Sequence, residues 1–314
     1  MTTNGFRPGD RQAIRRVVAG VDGSDSALHA ALWAAREARA LGVPLLLSHA
    51  LHLPDATVPP IEPADFALRH VREGHELVWG VAAEVGGQYP DVDIEVEASP
   101  LTPVHRLVDL SAPDVLLVSG TRGHGGFVGM LLGSVSRALA MHSKGPLAVV
   151  RGPEPQNACG PVVLGVGLNL NDSAIEFAFA AARRHGAPLR VVRAWVPPMP
   201  LAGLGLPGAA AMGMAGGPGV LIAPEVEDDD ANEAEDAARA IEPFCARYKD
   251  VDTQVVARIG NAVPVLHDEC TATRLIVVGA RRRRGPFAVG AGYVVDGLLA
   301  HSPVPVAVIP VGCH

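Results

Sequence analysis

Short runs of Val, Leu and Ile alternate along the chain with longer Ala-rich stretches whose apolar positions recur every three to four residues. Continuous apolar runs suit strands buried on both faces, and the longer spacing suits helices with one buried stripe. In the first half the pattern predicts strands at 16–21, 44–50, 93–98, 115–120 and 147–151, with helices at 25–41, 63–86, 103–111 and 134–141. In the second half it predicts strands at 161–166, 188–195, 252–258, 274–279 and 304–309, with helices at 172–185, 225–249, 261–270 and 292–300. Strand and helix alternate throughout, which indicates an α/β fold: an open parallel sheet of five strands in each half, with helices on both faces.

The halves are one unit written twice. Arg16-Val-Val-Ala-Gly-Val21 parallels Pro161-Val-Val-Leu-Gly-Val166, and Val115-Leu-Leu-Val-Ser-Gly120 parallels Arg274-Leu-Ile-Val-Val-Gly279. His142-Ser-Lys-Gly-Pro-Leu-Ala-Val-Val150 likewise matches His301-Ser-Pro-Val-Pro-Val-Ala-Val-Ile309. A period of roughly 150 residues is a duplicated domain rather than a solenoid repeat. The Pro/Gly stretch 152–160 reads as the linker, giving domains at 1–153 and 160–314. A second irregular stretch, 197–224, reads as an insertion or a flap.

The chemistry gathers at two strand ends. Gly120-Thr-Arg122-Gly123 and, ten residues later, Gly133-Ser134 follow the apolar run 115–118, a G-x2-G-x9-G-S spacing between a buried strand and a helix. Gly120, expected to adopt a positive φ, lets the chain turn sharply, Gly120 and Gly123 let backbone approach phosphate, and a helix opening at Ser134 offers N–H groups to an anion. Ser134, Val135 and Ser136 would supply those donors, with hydroxyls from both serines. Asp22, at the end of the first strand, is placed to accept ribose hydroxyls or to meet a phosphate-bound Mg²⁺, with Asp25 as the helix cap. Open parallel sheets bind ligands past the carboxyl ends of strands where the winding reverses, which brings the ends of strands one and four together.

This spacing, with Val17-Val18-Ala19-Gly20-Val21-Asp22-Gly23-Ser24, resembles the ATP-binding subgroup of the universal stress protein family. The resemblance spans nearly all of the chain except 1–14 and 197–224, and it implies strand order 3-2-1-4-5 in each half. It maps phosphate contacts onto Gly133, Ser134, Val135 and Ser136 and places adenine near His49-Ala50, with the Ala50 backbone as partner; Ser24 and Arg122 complete the expected nucleotide-binding set. ATP, with Mg²⁺, is the implied ligand.

The second half departs from that pattern. It reads Gly167-Leu-Asn-Leu-Asn171-Asp172 where the first has Asp22-Gly23-Ser24-Asp25, so it carries no acid at the strand end. Its loop has Arg282 in place of the second glycine and Tyr293 in place of the serine, where the ring is expected to fill the helix start. One ATP is therefore expected per chain, in the first half. Arg281-Arg-Arg-Arg284 reads as a solvated surface run, balanced by the acidic segment 225–230.

Composition narrows the function classes. Of 314 residues, 48% are hydrophobic and 19% charged, enough for two cores and too apolar for disorder. The formal net charge of -7 argues against a nucleic-acid groove. No run reaches the ~18 apolar residues of a membrane span, and residues 1–10 lack a signal-peptide core, so a cytoplasmic location is expected. Cys159, Cys245, Cys270 and Cys313 have no metal or disulfide spacing. His75-Glu76-Leu-Val-Trp79 puts Trp where a zinc-protease helix needs its second His, and no metal site of the protein's own is expected.

Two readings follow. In one, the chain is a non-catalytic ATP-binding stress or signalling protein whose partner contacts or assembly depend on the nucleotide. It would act on a protein partner not identified by sequence, with pairing between its halves and a possible homodimer. In the other, it is a slow ATP hydrolase or phosphotransferase. The first is favoured because only Arg122 and His124 near the glycine loop could assist hydrolysis, and no P-loop is present, so no catalytic residue is assigned.

Overall fold

The computed structural model describes residues 13–51, 64–123, 132–153, 160–167, 171–197, 226–280 and 291–310. Most of the 197–224 stretch, the linker at 154–159 and the run Arg281–Arg284 lie outside these residues. The first half runs β1 (Arg16–Gly20), α1 (Asp25–Leu41), β2 (Leu45–Ala50), α2 (Ala64–Gln88), β3 (Ile94–Ser99), α3 (Pro103–Leu110), β4 (Val115–Gly120), α4 (Ser134–His142) and β5 (Leu147–Val150). The second runs β6 (Val162–Val166), α5 (Asp172–His185), β7 (Leu189–Trp195), α6 (Val226–Arg247), β8 (Thr253–Ile259), α7 (Ala262–Asp268) with a 3-10 turn at Glu269–Ala272, β9 (Leu275–Ala280), α8 (Tyr293–His301) and β10 (Val306–Pro310).

Each half has the expected parallel order, β3-β2-β1-β4-β5 and β8-β7-β6-β9-β10. The two sheets are not separate, however. They form one ten-stranded sheet in which β5 pairs antiparallel with β10, Val149 opposite Val306, Ala148 opposite Ala307 and Leu147 opposite Val308. The reason lies in the strands themselves. β5 and β10 are apolar on both faces, and a sheet edge of that composition left open would expose unpaired N–H and C=O groups beside buried side chains. Joined, Ala148 and Ala307 are fully buried.

Helices cover both faces of this sheet. Leu45, Leu47, Leu116, Leu164 and Leu275 pack beneath α1, α2, α5 and α6, while Leu107, Leu139, Leu266 and Leu298 of α3, α4, α7 and α8 form the opposite core with Val18, Leu117 and Ile276. Helix α1 shows why its bounds are sharp. Ser24 accepts from the Ala27 amide at one end, Gly42 closes the other at φ 67° with its N–H bonded to Arg39 and Ala38 carbonyls, and the Ala face between them is buried.

The join carries a polar contact on each face. On the α1/α5 face, the carboxylate of Glu37, 1% exposed, meets Arg184 Nη2 at 3.1 Å and His185 Nε2 at 3.0 Å. On the other, Arg151, the residue after β5, donates to the carbonyls of Leu299, Ala300 and Ser302 at the end of α8.

Candidate functional site

The site begins where β1 stops. Val21 remains tied to β2 by its N–H to the Ser48 carbonyl, and Gly23, at φ 81°, then turns the chain into α1. That left-handed conformation is cheap only for glycine. It lets Asp22 face inward while its Oδ1 accepts from both the Ser24 amide (3.1 Å) and the Ser24 hydroxyl (2.7 Å). Ser24, not Asp25, is the α1 cap; Asp25 occupies the first turn, where a carboxylate suits the positive helix end.

At the end of β4, glycine is required by packing and not by its φ. Gly120 does not adopt a positive φ. A Cβ there would sit 2.6 Å from Ser26 Oγ and 2.7 Å from the Ser26 carbonyl, so the bare backbone is needed for β4 to pass the first turn of α1. The Arg122 amide lies 3.4 Å from the same Ser26 Oγ. Gly123 comes next, and a Cβ on it would overlap Asp22 Oδ2. Asp22, Gly120 and Gly123 are thus brought together at the ends of β1 and β4.

Residues 124–131, including His124, lie outside the described residues. The chain re-enters at Gly133, whose N–H donates to the Thr121 carbonyl at 2.7 Å, closing the loop onto its own start. Gly133 is the cap position of α4 and offers no side chain; the first intrahelical bond is Arg137 N–H to Gly133 carbonyl. The amides of Ser134, Val135 and Ser136 are therefore the helix-start donors. The Ser136 hydroxyl points elsewhere: it is buried, donates to the Gly120 carbonyl at 2.6 Å and touches Ser119 Oγ. What Ser136 presents at the helix start is its backbone N–H, and its side chain fixes α4 to β4.

At the expected adenine position, Ala50 pairs with Ser99 of β3 and is half-buried. His49 Nδ1 lies 2.8 Å from the Val21 carbonyl, packing the ring against the end of β1. Among the described residues no group of three or more His, Cys, Asp or Glu could hold a metal ion.

In the second half, side chains bond to one another and to backbone at the equivalent strand ends. Asn171 caps α5 through the Ala174 amide and donates from Nδ2 to the Ile309 carbonyl; a Cβ on Gly279 would meet this side chain at 2.7 Å. Arg193 holds the β7 register of His49 in β2. It is buried, bonded through Nη1 to the Gly167 carbonyl and paired with Glu233 of α6 at 2.5 Å. Trp195 Nε1 donates to Asp230 of the same helix. The expectation that Tyr293 fills the α8 start is corrected: it is 74% exposed, with its ring in solvent. Gly23, Ser26, Arg151 and Arg193 were absent from the sequence-derived site. The signal for Arg193 was available, because the repeat aligns it with His49.

The chain matches the universal stress protein family model twice, over residues 13–151 and 160–310. It is 30% identical over 302 residues to the universal stress protein Rv2005c of Mycobacterium tuberculosis, covering 93% of this chain and 96% of that one. It is also 30% identical over 306 residues to Rv2623 of the same organism, covering 93% and 95%. A crystal structure of a universal stress protein from Archaeoglobus fulgidus superposes with a TM-score of 0.63 at 18% identity, covering 95% of this chain and 98% of that one, which speaks to the fold alone. With two matched units spanning nearly all of it, the chain belongs to the universal stress protein family.

Proposed function

We propose that this protein is a nucleotide-dependent regulator of the stress response that holds one ATP, with Mg²⁺, in its first half. The observation that carries the reading is the Asp22/Gly123/Gly133 arrangement. Two glycines whose Cβ positions would overlap Asp22 or press on the Thr121 carbonyl leave a cradle of bare backbone, and three uncapped helix-start amides face the same end of the sheet. Such an end attracts phosphate through aligned N–H groups and the helix dipole. When bound, the nucleotide supplies negative charge and an adenosine shape that a partner protein can sense. The chain's own part is to bind it: Ser134, Val135 and Ser136 donate to phosphate, Arg122 adds charge, the Ala50 backbone meets the base, and Asp22 accepts from ribose or faces the cation.

The second half is read as a non-binding partner domain, since it has no acid at the position of Asp22 and has Arg193, paired with Glu233, at the position of His49. Calorimetric titration of the full chain with Mg·ATP tests both claims. One site per chain, weakened about ten- to a hundredfold in Asp22→Ala and kept in Arg193→Ala, is the expected result. Two sites, or unchanged affinity in Asp22→Ala, overturns the assignment.

A further inference from the structure

The antiparallel join of β5 and β10 has an electrostatic consequence for the first-half crevice. Because Val306, at the start of β10, lies opposite Val149, near the end of β5, the C-terminal end of α8 is at the same end of the sheet as the N-terminus of α4. Both helices pack on the same face through Leu139 and Leu298. A helix C-terminus presents unpaired carbonyls and a partial negative charge, which opposes anion binding nearby. Arg151 lies against that end. Its Nε donates to Ser302 O at 3.0 Å and its Nη2 to Leu299 O at 3.1 Å and Ala300 O at 2.8 Å. The Thr121 amide donates to the Val150 carbonyl at 3.1 Å, so Arg151 follows directly on the start of the glycine loop; burial and the nearby charge of Arg122 both lower its pKa.

The same geometry separates the two halves. Ala148 and Ala307 face each other at the centre of the pairing, and Arg151 and Pro310 each lie three residues beyond it. Pro310 has no side-chain donor, so the corresponding end of α4 receives no such cation from β10.

Resting on the nucleotide reading above, we propose that Arg151 is a specificity determinant of the first-half site: held by the α8 carbonyls, it masks the negative end of that helix and favours a polyphosphate there. The second half thereby tunes the affinity of the first. An electrostatic role scales with ligand charge, whereas a purely structural one does not.

The test is titration of the full chain with Mg·ATP and with AMP, for the wild type, Arg151→Gln, Arg151→Met and Arg151→Lys, alongside thermal unfolding. Removing the charge should weaken ATP about three- to tenfold and AMP by clearly less, as expected for loss of a charge near a phosphate site. Arg151→Lys should lose unfolding temperature like the other two, because an ammonium cannot bridge three carbonyls in this way, yet keep most of the ATP affinity. Arg151→Met retains the apolar stem, so it serves if the Gln variant does not fold. Equal weakening of ATP and AMP, unchanged ATP affinity without the charge, or a Lys variant as weak as Gln overturns the inference. A wild type that binds neither nucleotide overturns the nucleotide reading itself and this inference with it.

Discussion

Gly123 lies so close to Asp22 that a Cβ added to it would overlap the carboxylate oxygen Oδ2. The other oxygen, Oδ1, is held by the amide and hydroxyl of Ser24. The carboxylate is thus oriented from both sides, by the α1 turn and by the glycine loop, and the two sequence motifs form one structural unit. A side chain at 123 would move the Asp22 carboxylate or the loop, whichever yields first.

The first prediction is that these two positions act together. Asp22→Ala should weaken ATP binding about ten- to a hundredfold, the usual loss for a hydrogen bond to a charged group. Gly123→Ala should weaken it by a similar factor in the wild-type background, and by much less once Asp22 has been truncated, giving a coupling of about 1–2 kcal/mol in a double-mutant cycle. Calorimetry on the four proteins measures it. Strictly additive losses would mean that Gly123 acts on the phosphates independently of Asp22.

Gly120 makes a different demand, on stability rather than on ligand. The atoms a Cβ would strike include the Ser26 carbonyl and its carbon, backbone of the α1 first turn that cannot rotate away. Gly120→Ala should therefore destabilise the protein by about 1–3 kcal/mol, the range for forced overpacking. Urea unfolding checks it. Ser26→Gly should not rescue the variant, since it removes the hydroxyl and leaves the carbonyl, and a full rescue would show that the side chain alone was responsible.

Much of this was legible in the sequence because it depends on local chemistry. The observed α1 matches its expected bounds, 25–41, although its cap is Ser24 and not the expected Asp25. The strand order within each half followed from the family resemblance. The single sheet was not legible: Leu147–Val150 and Val306–Pro310 read as any buried strand, and nothing local says that each is the other's antiparallel neighbour. The need for glycine at 120 was legible but its cause was not, because the clash is with Ser26, distant in sequence and adjacent only after folding. The position of Arg193 was legible from the repeat, but its pairing was not. Its carboxylate partner, Glu233, lies on a helix forty residues away.

The last prediction concerns the join. Burial pushes the Glu37 carboxyl up, but the hydrogen bond to His185 and the charges of Arg184, His185 and Arg36 outweigh it and hold the group at about 2, against an ordinary 4.5. A carboxyl whose pKa is lower in the folded state than in the unfolded state stabilises the fold at pH above the unfolded value. It loses that contribution as pH falls toward the folded one. The wild type should therefore lose on the order of 3 kcal/mol between pH 4.5 and 2 through this group alone, beyond what its other carboxylates contribute. Glu37→Gln removes the titration and leaves Arg184 and His185 buried without their carboxylate. It should cost about 3–5 kcal/mol at neutral pH, the range for a broken buried pair, and the gap from wild type should narrow as pH falls. Urea midpoints for both proteins at intervals from pH 7 to 2.5 measure the difference. Parallel pH profiles would show that Glu37 does not titrate with folding, and that the α1/α5 cluster holds the two halves together by packing alone.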